Sequence, residues 1–135
     1  DEFLIIIDKF NLKERVLIES KNYLALNFLS NAGLETSYYL PGTPVADVGK
    51  EKKLSISKKL IDQIIKSKVK NISYPGYMHN FVIDYISSEL KSLKLSTWYL
   101  NKDVTFPPDA IFLQNIVNEE KIKAVLIRHS TKYDR

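Results

Sequence analysis

A chain of 135 residues with 44% apolar and 27% charged side chains has the balance of one globular domain, long enough to bury roughly two-thirds of its unfolded surface. No apolar run approaches the ~20 residues that span a bilayer, and the lack of cysteine removes disulfides, thiolate zinc sites and thiol nucleophiles together. The net charge of +4 is carried by lysines dispersed over 50–70, 91–102 and 121–132; this is no contiguous stripe among stacking aromatics, so a nucleic-acid partner is not expected and an anionic small molecule is favoured.

The chain opens at Asp1-Glu2-Phe3 without Met or a basic leader and runs straight into apolar residues, Phe3, Leu4, Ile7 and Phe10, at helical spacing. That opening is expected to continue an upstream unit. Asn11 closes the helix, and Val16-Leu17-Ile18 makes a short buried strand ending at Glu19-Ser20. Asn22 caps the next helix, whose Leu24, Phe28, Leu29 and Ala32 are expected to face inward, with Gly33 placed for a left-handed end.

Thr36 to Leu40 is the second strand, stopped by Pro41-Gly42-Thr43-Pro44. The segment Pro41 to Leu54 reads as a long connection, a surface loop or a lid over the strand ends, and Ser57 opens a helix with Leu60, Ile61, Ile64 and Ile65 inward. Asn71 to Tyr74 is a short extended piece broken by Pro75-Gly76. His79 or Asn80 begins a helix that buries Phe81, Val82, Tyr85, Ile86, Leu90 and Leu93.

The run Leu95-Ser96-Thr97-Trp98-Tyr99-Leu100-Asn101 is a β-branched and aromatic strand holding the chain's one Trp and ending in a polar residue. Pro107-Pro108-Asp109 starts a helix with Ile111, Phe112, Ile116 and Val117 inward, and Lys123 to Ile127 is the last strand. Strands separated by helices at intervals of about thirty residues predict a parallel sheet with right-handed crossovers, the whole of 1–135 forming one α/β unit. Two architectures fit: a small doubly wound open sheet, or half of an eight-stranded barrel, which takes ~250 residues. In both, the carboxyl ends of the strands build the site.

In order and spacing, Val16-Leu17-Ile18-Glu19-Ser20, Thr36 to Leu40, Tyr74-Pro75 ahead of a helix, Ser96 to Asn101 and Ile122 to Ile127 resemble the C-terminal half of the glycerophosphodiester phosphodiesterases. The Trp98 to Asn101 element is the distinctive part, set against the family's Thr-Trp-Thr-Val-Asn. The resemblance implies a TIM-like (β/α)8 barrel in which Ser20 ends the fifth strand, Leu40 the sixth, Asn101 the seventh and Ile127 the eighth. It implies substrate contacts from Ser20 and Trp98; Asn101 at the end of its strand and Arg128, by its own planar donor fork, are further candidates. The implied reaction, in a longer parent, is metal-dependent hydrolysis of a small-molecule phosphodiester to glycerol 3-phosphate and an alcohol.

The residues keep other readings open. Trp98 also suits a core aromatic, Asn101 a strand-ending turn and Glu19 a surface carboxylate, while Arg128 is either a phosphate fork or an exposed cation. The chain departs from the family at Lys21, where an aromatic is usual, and at Arg128-His129, which replace Thr-Asp. The family's catalytic His pair and the carboxylates that hold Ca²⁺ or Mg²⁺ have no counterpart here, and His79 and His129 lack the spacing of metal ligands, His79 being a helix-start residue. The chain is therefore expected to supply pocket walls, with no catalytic or metal ligand of its own. The alternative is a non-catalytic α/β module that binds an anion or a protein. Exposed strand edges at both ends of a half barrel would make the isolated chain self-associate.

Overall fold

The computed structural model describes residues 2–42, 45, 47–99 and 122–127. Its elements follow the chain as α1 (Glu2–Lys9), β1 (Leu17–Ser20), α2 (Tyr23–Asn31), β2 (Glu35–Tyr39), α3 (Lys50–Ser67), β3 (Asn71–Pro75), α4 (His79–Phe81), β4 (Lys94–Tyr99) and β5 (Ile122–Ile127). A single 3₁₀ turn, Gly76–Met78, leads into α4, which continues as a π-helical stretch, Val82–Ser87. Strands and helices alternate, and all strand pairs are parallel.

The sheet has five strands in the order β1-β2-β3-β4-β5. The segment read as an extended piece is thus a full strand: Ser73 lies between Tyr39 of β2 and Ser96 of β4, and Leu40 N donates to Ser73 O at 2.8 Å. One consequence is a correction to the implied numbering. Counted back from the last strand, Ser20 and Leu40 each fall one place earlier than the fifth and sixth positions. The order never reverses among the described strands, and both a barrel arc and one wing of an open sheet contain such a run.

α2, α3 and the π-helical stretch after α4 lie together on one side of the sheet, α2 packed on α3 and α3 on the π-helical stretch. There Tyr38, Leu40, Ile72, Tyr74 and Leu95 meet Leu26, Leu60, Ile64, Phe81, Val82 and Ile86, all buried in one apolar cluster. Each fully buried aliphatic side chain of this kind contributes about 1.5–3 kcal/mol relative to exposure.

Local chemistry fixes the ends of these helices. Asn22 accepts at Oδ1 from Leu24 N (3.1 Å) and Ala25 N (3.2 Å), which caps α2 as expected, and Gly33 adopts φ +80° just past its end. The inward face of α2 differs from expectation. Leu26 is fully buried, whereas Leu24 and Phe28 are 66% and 49% exposed, because contact with α3 and β2 rotates the Leu26 side inward.

α3 begins seven residues before Ser57, at Lys50, so the long connection is shorter than it reads. Ser57 sits buried inside the helix and spends its hydroxyl on Leu54 O at 3.0 Å. Leu60 and Ile64 point inward as expected, Ile61 is half-buried and Ile65 is exposed. Lys68, with φ 57°, closes α3 in the left-handed conformation, its N–H bonded to Ile65 O at 3.1 Å. α1 forms where its spacing predicts, but only Ile7 is buried; Phe3, Ile5, Ile6 and Phe10 stay exposed, as does Leu17 on β1. The predicted helix after Pro107 lies outside the described residues. No described helix is long and apolar enough to cross a membrane.

Candidate functional site

Successive side chains on a strand point to opposite faces, so the helix-covered side takes Ile18, Thr36, Tyr38, Ile72, Tyr74, Leu95 and Thr97 and leaves the other side to Glu19, Ser37, Tyr39, Ser73, Ser96 and Trp98. This face, opposite the side taken by α2 and α3, is polar at its centre and aromatic at the carboxyl end of the strands. Ser73 Oγ donates to Glu19 Oε2 at 2.5 Å, reaching across from β3 to β1 over the buried Ser37 of β2. Beyond that bond, the rings of Tyr39 and Trp98 stack with centroids 4.6 Å apart and an interplanar angle of 24°. Lys21 follows β1 directly and holds its Nζ 4.6 Å from the centre of the Tyr39 ring.

Each part has an elementary role. The stacked pair is worth about 0.5–1.5 kcal/mol beyond its burial and offers a flat, rigid wall to C–H groups of a ligand. The Lys21 ammonium over Tyr39 is held by a cation–π contact of about 0.5–1 kcal/mol, weak enough to yield to an anionic ligand. Glu19, ordered by Ser73, is an exposed carboxylate with further capacity to accept hydrogen bonds. Among the described residues no three His, Asp or Glu side chains gather as a cation cage, so the residues in view do not fit the divalent ion that the resemblance implies.

The structure separates two of the nominated residues. Trp98 is half-buried on the face opposite α2 and α3. Ser20 pairs with Tyr38 and therefore belongs to the helix-covered side, where its Oγ accepts from Asn22 N at 3.0 Å and tightens the turn into α2. Ser20 and Trp98 are not brought together. Asn101 and Arg128 lie outside the described residues, as does His129. His79 is 8% exposed within the apolar layer, its Nδ1 3.1 Å from Tyr74 Oη, so it belongs to the core rather than to this face.

Tyr39 and Lys21 were not singled out as contacts, although a signal existed. The Tyr38-Tyr39 doublet ends a strand, so alternation must put one ring in the core and the other on the open face. Lys21 drew notice only as a departure from the family pattern, and its position over Tyr39 gives that departure a physical role.

Comparison with protein-family models, with curated proteins and with solved structures finds no match to this chain.

Proposed function

We propose that the chain forms one wall of a binding pocket for a small phosphodiester, in a glycerophosphodiester phosphodiesterase-like protein that hydrolyses such esters to glycerol 3-phosphate and an alcohol. The observation that carries the reading is the Tyr39–Trp98 stack with the Lys21 ammonium, set at the carboxyl edge of a parallel sheet on the face opposite α2 and α3. Ligands of parallel α/β sheets bind at that edge. In this arrangement the aromatic wall packs on the carbon chain of the alcohol, Lys21 swings from Tyr39 to the phosphate, and Glu19 accepts from a glycerol hydroxyl. This chain's part is binding and orientation. The Ca²⁺ or Mg²⁺ of such a hydrolase finds no cage among the described residues, and proton transfer and metal chemistry fall to other parts of the parent.

Trp98 is the chain's one tryptophan, so its fluorescence reads the pocket directly. Glycerophosphocholine is expected to change the emission saturably, and Lys21→Ala is expected to weaken that binding roughly tenfold, as loss of a charged hydrogen bond does. With Ca²⁺ or Mg²⁺ added, the chain alone is expected to release no glycerol 3-phosphate. An emission unchanged up to high millimolar ester sinks the reading.

A second reading, a non-catalytic protein-binding module, draws on one observation: the exposed Phe3, Ile5 and Ile6 of α1, Phe10 just after it, and Leu17 on β1, an edge strand among the described residues. Exposed apolar surface and an edge strand invite another chain. The isolated protein is expected to show a concentration-dependent sedimentation coefficient, and a clean monomer across a hundredfold range of concentration removes this reading.

A further inference from the structure

At the opposite end of the sheet, under the amino-terminal ends of β2, β3 and β4, lies a half-open recess of about 420 Å³. Lys68, Lys70 and Lys94 line it against, among the described residues, one carboxylate, Glu35. The last two lysines are held side by side by the backbone, where Lys94 N donates to Lys70 O at 2.9 Å, and both side chains are exposed. Lys68 is oriented by a 2.9 Å bond from its Nζ to Asn31 Oδ1. Three ammonium groups against one carboxylate make the recess a place for negative charge.

Asn71, in the wall of the same recess, adds an independent constraint. It is 2% exposed, and its Oδ1 is the one buried side-chain N or O atom without a hydrogen-bond partner among the described residues. The amide cannot turn over to cure this. Its Nδ2 already donates to Thr36 O at 3.2 Å and to Glu35 Oε1 at 3.3 Å, and a flip would set oxygen against two acceptors. Buried acceptors are rarely left unpaired. The recess therefore combines excess positive charge with an acceptor that lacks a donor, and a fully deprotonated oxyanion answers only the first demand.

From this pairing we propose that the recess is a second binding site, for a phosphate-bearing anion that presents its own O–H group: hydrogenphosphate, or a hydroxylated phosphate ester. The lysines hold the charged oxygens. The O–H is donated to the Asn71 side of the wall, where sulfate, of nearly the same size, has nothing to give.

Titration calorimetry of the full chain at pH 7 with inorganic phosphate and, at matched ionic strength, with sulfate tests the assignment. Phosphate is expected to bind saturably and sulfate at least about tenfold more weakly, the fold-change of one charge-assisted hydrogen bond. Lys70→Ala and Lys94→Ala, surface changes that leave the core intact, are each expected to weaken phosphate binding roughly tenfold, whereas Lys58→Ala, on α3 away from the recess, leaves it unchanged. Asn71→Leu, if it folds, is expected to erase the preference for phosphate over sulfate; the lysine variants carry the test if it does not. Glycerol 2-phosphate binding as well as phosphate marks an ester site, and its failure beside phosphate binding marks a free-ion site. Equal binding of phosphate and sulfate, indifference to Lys70→Ala and Lys94→Ala, or no phosphate binding at all overturns the proposal.

Discussion

Ile72 and Ser73 are neighbours on β3, both at most 2% exposed, yet they belong to different environments. Ile72 enters the apolar layer beneath the helices, among Tyr38, Leu95 and the side chains of α3 and α4. Ser73 points to the other side and is satisfied by one carboxylate, Glu19. The first face is held by packing, while the second is held by a few polar bonds. Equal burial therefore hides two kinds of stabilisation, told apart by the chemistry of what covers each residue.

The largest expected effect breaks the first face. Ile72→Ala removes a fully buried side chain and leaves a cavity that fixed strands cannot close, so a loss of about 2–5 kcal/mol is expected in urea unfolding. A loss below about 1 kcal/mol would mean that the layer repacks freely, and the distinction between the faces would fail with it. Ser73→Ala is the matched change on the other face. It forfeits one hydrogen bond to an exposed carboxylate that water then solvates, so roughly 1 kcal/mol is expected. The same variant is expected to weaken ester binding at Trp98, since Glu19 loses what orders it. Equal destabilisation by the two substitutions would erase the contrast.

Much of the covered face was legible because burial under helices writes a period into the sequence. Ile64, Val82 and Ile86 recur at helical spacing and do face inward, and Asn22 announces its cap by residue type. Legibility failed where the apolar surface exceeds what the fold buries. Leu24 and Phe28 carry a periodic pattern as good as that of Leu26's face, and only contact with α3 decides between them. The start of α3 was missed because its first turn, Lys50 to Lys53, is charged and lacks apolar period, and β3 was undervalued because Asn71 and Ser73 look like loop residues until their partners are known. Trp98 stands out in the sequence by rarity, whereas which of Glu19 and Ser20 shares its face does not. A strand's parity depends on register, which Glu19-Ser20 cannot state by itself; pairing of Ser20 with the buried Tyr38 settles it. The recess below the sheet left no trace in the sequence, since its lysines come from the turn after α3 and the start of β4 and meet only in the fold.

The smallest effect sharpens the comparison at Tyr38, whose neighbour Tyr39 sits on the opposite face. Burial first, then the nearby Tyr23, raise the Tyr38 phenol above its ordinary value of 10.0, and its hydroxyl donates to Gln63 Oε1 at 2.9 Å. Below pH 10 the phenol is neutral in the folded and unfolded chains alike and contributes no pH dependence. Above it the unfolded chain ionises first and binds fewer protons than the folded one, so stability falls as pH climbs through the raised folded value. Tyr38→Phe is therefore expected to cost about 1 kcal/mol at neutral pH, for the bond to Gln63, and to flatten the decline above pH 10 in thermal melts. If Tyr38→Phe leaves the alkaline limb as steep as before, the Tyr38 phenol is not held in the packed layer, and the contrast between the two sides of the sheet loses its sharpest marker.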